Sequence, residues 1–362
     1  MKNKLLLSTA LIGSMVAGEL ALAQTTVTGN LAINYRAQEN KSAATGSTAS
    51  TRGFGRETQL NIQNKGKLNN GMDYAAGFSL EFDGQNRTQN VIGSQTVGGD
   101  REPNSISNEN LYVNFISGGT TLHIGVDHIQ NITTDVVPMV LPLMDNVAAG
   151  IGAKATNTVG ANPKEYFGIG LVQVVPGTGL TASYNYTPNG GDYGSTDQAA
   201  DAPANDRNSA YEYGVVGTDT FGVKGLGIAY FANKEDKAAS TETSGKEGKM
   251  YAVSYAAPQG FTAGYSIHKQ NRTSATGTAD LELKMQTIAL TYAATKDITL
   301  GLTQLKTDSA ASGAVDETIR AVQVGYNLGP VALIVSASKA EDLANTTGND
   351  AKEIGVRLST KF

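Results

Sequence analysis

The segment Val27-Thr28-Gly29-Asn30-Leu31-Ala32-Ile33-Asn34-Tyr35-Arg36 decides how the rest of the chain is read. Val27, Gly29, Leu31, Ile33 and Tyr35 share one face of an extended chain, and Thr28, Asn30, Asn34 and Arg36 share the other. Successive side chains of a strand point to opposite sides, so such a strand presents one apolar and one polar face.

Working outward, the pattern repeats. Leu60 and Ile62 oppose Gln59, Asn61 and Gln63, and then Tyr74, Ala76, Phe78, Leu80 and Phe82 oppose Gly77, Ser79, Glu81 and Asp83. Between these two runs, Asn69-Asn70-Gly71 supplies a tight turn. Leu111, Val113 and Phe115 face Leu122, Ile124 and Val126 across Ser117-Gly118-Gly119. Later hairpins carry their apolar faces at Ile169 and Leu171 with Leu180, Tyr184 and Tyr186, then at Tyr211, Tyr213 and Val215 with Leu226, Ile228 and Tyr230. The next joins Tyr251, Val253 and Tyr255 to Phe261, Tyr265 and Ile267, followed by Ile288, Leu290 and Tyr292 with Ile298, Leu300 and Leu302. Val322, Val324 and Tyr326 then face Val331, Leu333 and Val335, and Ile354, Val356, Leu358 and Phe362 form a closing strand.

Long polar connectors near 38–56, 84–107, 127–165, 188–208, 234–248, 269–284, 307–317 and 340–350 alternate with short ones. Eight long loops and seven short turns make sixteen strands. The reading is all-β: a transmembrane antiparallel β-barrel with long extracellular loops, short periplasmic turns and both ends on the periplasmic side. A soluble β-sandwich gives no reason for such alternation. The negative mean hydropathy is no objection, because a barrel strand is apolar on one face only.

Ahead of the first strand, Lys2 and Lys4, an apolar run from Leu5 to Val16 and Ala21-Leu22-Ala23 have the layout of a secretory signal peptide. Residues 1–23 are expected to be cleaved, leaving 339 of the 362 residues, 24–362, as the barrel. That is about 21 residues per strand and connector, against roughly 10 for a tilted crossing, and about sixteen strands enclose an aqueous channel. Without Lys2, Lys4 and Glu19 the chain has 26 basic and 32 acidic residues, a net charge of -6, so nucleic acid is not expected as a partner. The chain has no Cys, which excludes disulfides and thiol chemistry, and no Trp, which leaves Tyr35, Tyr186, Tyr230, Tyr292 and Tyr326 as candidates for an interfacial girdle.

Motifs for chemistry are weak. Gly177-Thr178-Gly179-Leu180-Thr181-Ala182 fits a dinucleotide-binding spacing, but a strand follows where a helix is needed, so Pro176 to Gly179 reads as a hairpin turn. His123, His128 and His268 are the three histidines, and His123 reads as polar wall lining. With no catalytic constellation, the protein is not expected to be an enzyme. No cofactor is expected, although Asp192, Asp197, Asp201 and Asp206 crowd one loop that could take a divalent cation. The longest connector holds Val136, Val137, Met139, Val140, Leu141, Leu143 and Met144, too apolar for a loop in water; folding it onto the inner wall would bury them and bring Asp127, Asp135 and Asp145 near the channel axis.

Gly55-Arg56-Glu57-Thr58-Gln59-Leu60-Asn61-Ile62, leading to Asn70-Gly71-Met72-Asp73-Tyr74, and the closing strand ending in Phe362 resemble the general porins of Gram-negative bacteria, in their proteobacterial branch. The resemblance covers the whole mature chain. It implies a homotrimer in the outer membrane that passes small hydrophilic solutes, with the third loop, about 127–165, folded inward as an eyelet. It further implies that acidic groups on that loop, Asp127, Asp135 and Asp145, face basic wall groups, for which Arg36, Lys65 and Arg357 are the matching residues. Phe362 resembles the signal read by the barrel-assembly machinery, and membrane lipid and lipopolysaccharide are the other implied partners. The Pro-Glu-Phe-Gly-Gly segment of enteric relatives is missing from the loop. A substrate-specific channel and a secreted β-rich adhesion protein are the rival readings.

Overall fold

The chain is seen here as a computed structural model that describes residues 24–42, 44–85, 107–125, 168–187, 209–235, 246–272, 281–311 and 313–362. Sixteen strands run in order: β1 Gln24–Lys41, β2 Thr48–Lys67, β3 Asp73–Gln85, β4 Ser107–Ser117, β5 Thr120–Gly125, β6 Gly168–Val175, β7 Leu180–Thr187 and β8 Ala210–Thr218. They continue as β9 Leu226–Glu235, β10 Lys246–Ala256, β11 Phe261–Arg272, β12 Leu281–Ala293, β13 Ile298–Ser309, β14 Glu317–Asn327, β15 Val331–Glu341 and β16 Asp350–Lys361. Each pairs antiparallel with its sequence neighbours, and β1 pairs with β16 to close the barrel. Closure leaves no strand edge unpaired, which a hydrocarbon environment demands.

Alternation sorts the two faces as the sequence implies. Outward positions such as Ile33, Ile288, Leu302 and Ile354 are exposed, the last to 55%, while inward neighbours such as Ala32, Ser79 and Thr287 are buried. In water a continuous outer apolar face of this extent would be a liability; in lipid it is the contact surface. Tyrosines replace tryptophan on that face: Tyr213, Tyr230 and Tyr251 lie side by side on β8, β9 and β10, with ring centroids 6.1 and 5.2 Å apart. Tyr292 stacks on Phe261 at 4.2 Å, and Tyr35 meets Phe54 at 5.1 Å.

The seam closes at its last residue. Gly29 donates its N–H to the Phe362 carbonyl at 2.7 Å and accepts the Phe362 N–H at 3.0 Å. At the β2–β3 turn, Gly71 adopts φ 81° and donates to the Leu68 carbonyl at 2.8 Å, the left-handed step that its lack of a side chain permits. Pro176 to Gly179 forms the β6–β7 turn, with Gly177 and Gly179 both at positive φ and a strand following. β1 and β2 run longer than the apolar pattern suggested, through much of 38–56.

Among the described residues the inner face carries many polar side chains and two apolar patches. Val216, Ala229, Phe231, Met250 and Ala252 make one on β8, β9 and β10. Leu305, Ile319, Ala321, Ala340 and Ala351 make the other, on β13 to β16.

Candidate pore-lining site

One charged part of the inner wall is built where the first and last strands meet. Register sets Arg357 of β16 opposite Asn34 of β1, and Asn34 opposite Gly55 of β2. One inward step away on β1 is Ala32, opposite Glu57. A methyl group at 32 and no side chain at 55 leave the Arg357 guanidinium room to cross β1 diagonally, and its Nη2 donates to Glu57 Oε2 at 3.4 Å. The next inward position on β1 is Arg36, flanked in register by Gly53 and Gly355. Its Nε lies 3.7 Å from Glu353 Oε2. Two arginines and two glutamates thus form a compact, charge-balanced strip across β16, β1 and β2.

This strip fixes charges of both signs on one side of the wall. Arg357 is 7% exposed and Glu353 6%, so their charges act with less screening than surface pairs, while Arg36 and Glu57, each 26% exposed, stay open to the lumen. Such an array orders dipolar solutes and attracts ions of either sign at defined spots.

Lys65 is on the same inward face but elsewhere. It pairs with Gln24 and Ala75, twelve residues along β2 from Gly53. At roughly 3.4 Å per residue that is about 40 Å along the strand, so Lys65 belongs to the mouth at the short-turn end. The structure brings Arg36 and Arg357 together and leaves Lys65 apart. Asp127, Asp135 and Asp145 lie outside the described residues, as do His128, Asp192, Asp197, Asp201 and Asp206.

A second polar strip occupies β4 and β5. His123 is buried, and its Nδ1 is hydrogen-bonded to Asn114 Oδ1 at 2.6 Å. The Tyr112 ring stands 6.2 Å from the imidazole, and its hydroxyl accepts a hydrogen bond from Gln63 of β2. Gly77 makes that reach possible: a Cβ there would sit 3.0 Å from the Tyr112 hydroxyl and 2.8 Å from the Ile62 carbonyl. His123 is therefore wall lining, as the alternation implied.

Glu57, Glu353 and Asn114 are the partners that sequence reasoning missed. Their place on polar faces was readable, but their pairing needed the register. Among the described residues no group of three His, Cys, Asp or Glu side chains is arranged to hold a metal ion.

A sequence model of Gram-negative porins matches residues 8–356. Among solved structures, the chain is similar to an anion-selective porin from Comamonas acidovorans, at 15% identity and TM-score 0.67 over 94% of this chain and 100% of that one. It is similar to the in-vitro folded OmpT of Vibrio cholerae in its trimer form, at 10% identity and TM-score 0.59 over 93% and 99% of the two chains. A mutant porin of Rh. blastica aligns at 13% identity and TM-score 0.55 over 92% and 100%. No curated protein sequence matches the chain.

Proposed function

Because the chain belongs to the Gram-negative porin family, we propose that its inner wall and third loop together set the size and charge limits of a passive outer-membrane channel. The channel itself follows from the family: solutes cross the outer membrane by diffusion through a closed sixteen-strand barrel. The observation that carries the finer reading is the Arg36–Glu353 and Arg357–Glu57 strip, which places fixed charge of both signs on the water-facing wall.

The third loop supplies the opposing side. It leaves β5 at Gly125 and returns at Gly168, close to the apolar patch of Val216, Ala229, Phe231, Met250 and Ala252. With strands about 4.8 Å apart, β8 to β10 lie roughly 10 to 20 Å from β6, within reach of a loop of that length. The apolar run Val136 to Met144 then has a surface to pack on, and Asp127, Asp135 and Asp145 face the lumen.

The mature protein starts at Gln24 after cleavage behind Ala23, works as a homotrimer and does no covalent chemistry. The trimer form of the Vibrio cholerae OmpT supports the oligomeric state. Short turns face the periplasm, Phe362 is presented to the assembly machinery, and the outer apolar face meets phospholipid and lipopolysaccharide. The Comamonas acidovorans porin is anion-selective; the net charge of -6 after cleavage, and the loop carboxylates, give this chain a weak cation preference.

Single-channel recording of purified, detergent-folded protein tests the reading. Conductance should rise almost in proportion to salt concentration, and a potassium chloride gradient should give a reversal potential on the cation side. Saturating conductance blocked by one class of solute would replace diffusion with a specific binding channel.

A further inference from the structure

Three inward side chains take no part in the charged strip. Met250 of β10 pairs in register with His268 of β11, and His268 pairs with Met285 of β12. All three occupy the inner face, since their strand neighbours Tyr251, Ile267 and Gln286 have the opposite, outward parity. Directly opposed residues of an antiparallel pair have Cβ atoms about 4.5–5.5 Å apart. His268 is therefore flanked in register by two methionines, each carrying its thioether on a flexible unbranched arm able to reach the imidazole.

The row is dry. Met250 is 1% exposed and His268 3%. Met250 is seated among Val216, Ala229, Phe231 and Ala252, and Met285 packs against the patch that contains Leu305 and Ile319. Yet His268 Nδ1 is buried with no hydrogen-bond partner among the described residues. A buried ring nitrogen left unpaired is costly, and in the tautomer protonated at Nε2 it offers a lone pair to an electrophile.

We propose that Met250, His268 and Met285 form a binding site for a soft monovalent metal cation of the copper(I) class. Two thioethers and a neutral imidazole are an uncharged, polarisable donor set, which suits a soft cation of low charge. Zinc prefers thiolate, imidazole and carboxylate, and the hard divalent cations require several oxygens, so neither class matches these three residues. The carboxylate on the same row is that of Glu317, reached through Thr307 on the intervening strand. Two strand spacings put it about 10 Å from Met285, too far to ligate and near enough to offset one positive charge. Binding changes no oxidation state: the imidazole and sulfur lone pairs replace the ligands the cation sheds.

The test uses the full mature chain folded in detergent, with silver(I) as a redox-stable probe in chloride-free buffer and copper(I) supplied from a competing chelator under reductant. The expected result is one cation per chain at this site, silver competing with copper, and an X-ray absorption signature of two sulfur ligands and one nitrogen. The Met250→Leu/Met285→Leu double variant keeps the apolar volume, and His268→Gln keeps a polar side chain. Each should weaken binding by more than about tenfold, beyond the lower end of losses seen for outer-shell changes. Unchanged resistance of the folded protein to heating in detergent would show that the variants retain the barrel. Absence of binding at one per chain, equal binding by the folded variants, or a zinc(II) affinity matching that for copper(I) would each overturn the assignment. A variant that loses that resistance is replaced by the single Met285→Leu change, to which the same criteria apply.

Discussion

Arg357 and Glu57 are 300 residues apart in the chain, and their side chains meet at 3.4 Å across the face of β1. The contact ties β16 to β2 over Ala32, so a hydrogen-bonded charge pair spans the strand at which the barrel closes. Because Arg357 is 7% exposed while Glu57 is 26% exposed, the two members respond differently to loss of the partner. Removing Arg357 leaves a carboxylate that water can reach; removing Glu57 leaves an inward guanidinium with less solvent.

The pair gives opposite selectivity shifts on neutralisation. Arg357→Gln should raise the cation-to-anion permeability ratio and Glu57→Gln should lower it, each by roughly threefold, the scale of one charge acting at several ångströms through a largely aqueous medium. Reversal potentials in a salt gradient measure both. Shifts in the same direction for the two variants would mean that the pair does not face the ion path.

The closing contact at Gly29 makes a second prediction. A Cβ on Gly29 would lie 2.5 Å from Phe362 Cζ and 2.8 Å from the Gln59 carbonyl oxygen. The ring can swing aside, but the carbonyl belongs to the β1–β2 ladder and cannot move without breaking it. Gly29→Ala should therefore destabilise the barrel by about 1–3 kcal/mol, the usual cost of forced overpacking. Urea unfolding of the reconstituted protein reads this directly. Adding Phe362→Ala should restore only part of the loss, because the clash with Gln59 remains.

The alternation of Val27 to Tyr35 was enough to assign faces, since a period of two is written residue by residue. Height along the barrel is not written that way. Lys65 and Arg36 have the same inward parity, and only the register separates them. The same limit hid Glu57 and Glu353, which are polar residues on polar faces until β16 is laid against β1. The strand portions of 38–56 were missed for another reason: residues such as Gln38, Glu39 and Asn40 need no lipid-facing apolar side chain, so the ladder continues where the hydropathy signal stops. Gly77 was visible as a glycine, but the aromatic side chain of Tyr112 that it accommodates was not.

Asp316, in the connector before β14, gives a pH prediction. Lys306 Nζ donates to its carboxylate at 2.6 Å and also lies 3.3 Å from Asp308. The hydrogen bond from Lys306, joined by the ammonium charge and opposed by slight desolvation, holds the Asp316 carboxyl below the usual aspartate range. A depressed carboxyl contributes stability that is complete above the unfolded value, about 3.9, and is lost as pH falls through the lower folded value. Both groups are solvent-exposed, so the effect is local to the connector. An NMR titration should find the Asp316 midpoint below that of a free aspartate, and Lys306→Met should return it to the ordinary range. A midpoint unmoved by Lys306→Met would show that the ion pair does not form in solution.

The third loop yields the most direct test of how the pore is narrowed. Its apolar run, Val136 to Met144, would be solvated at a cost unless packed, and each such side chain stabilises by about 1.5–3 kcal/mol when fully buried. The inner-wall patch around Phe231 offers the matching surface, a few strands from where the loop begins and ends. Anchored there as proposed, the loop would hold Asp127, Asp135 and Asp145 opposite the Arg36 and Arg357 strip, with the water path between them. Deleting residues 132–156 removes the proposed anchor while leaving every described strand and its pairing untouched. The deletion should raise single-channel conductance and weaken cation preference, because Asp135 and Asp145 go with it. Folded trimers must first be confirmed by their resistance to heating in detergent. Unchanged conductance and selectivity in such trimers would place the loop outside the pore and leave the wall arginines to set the constriction alone.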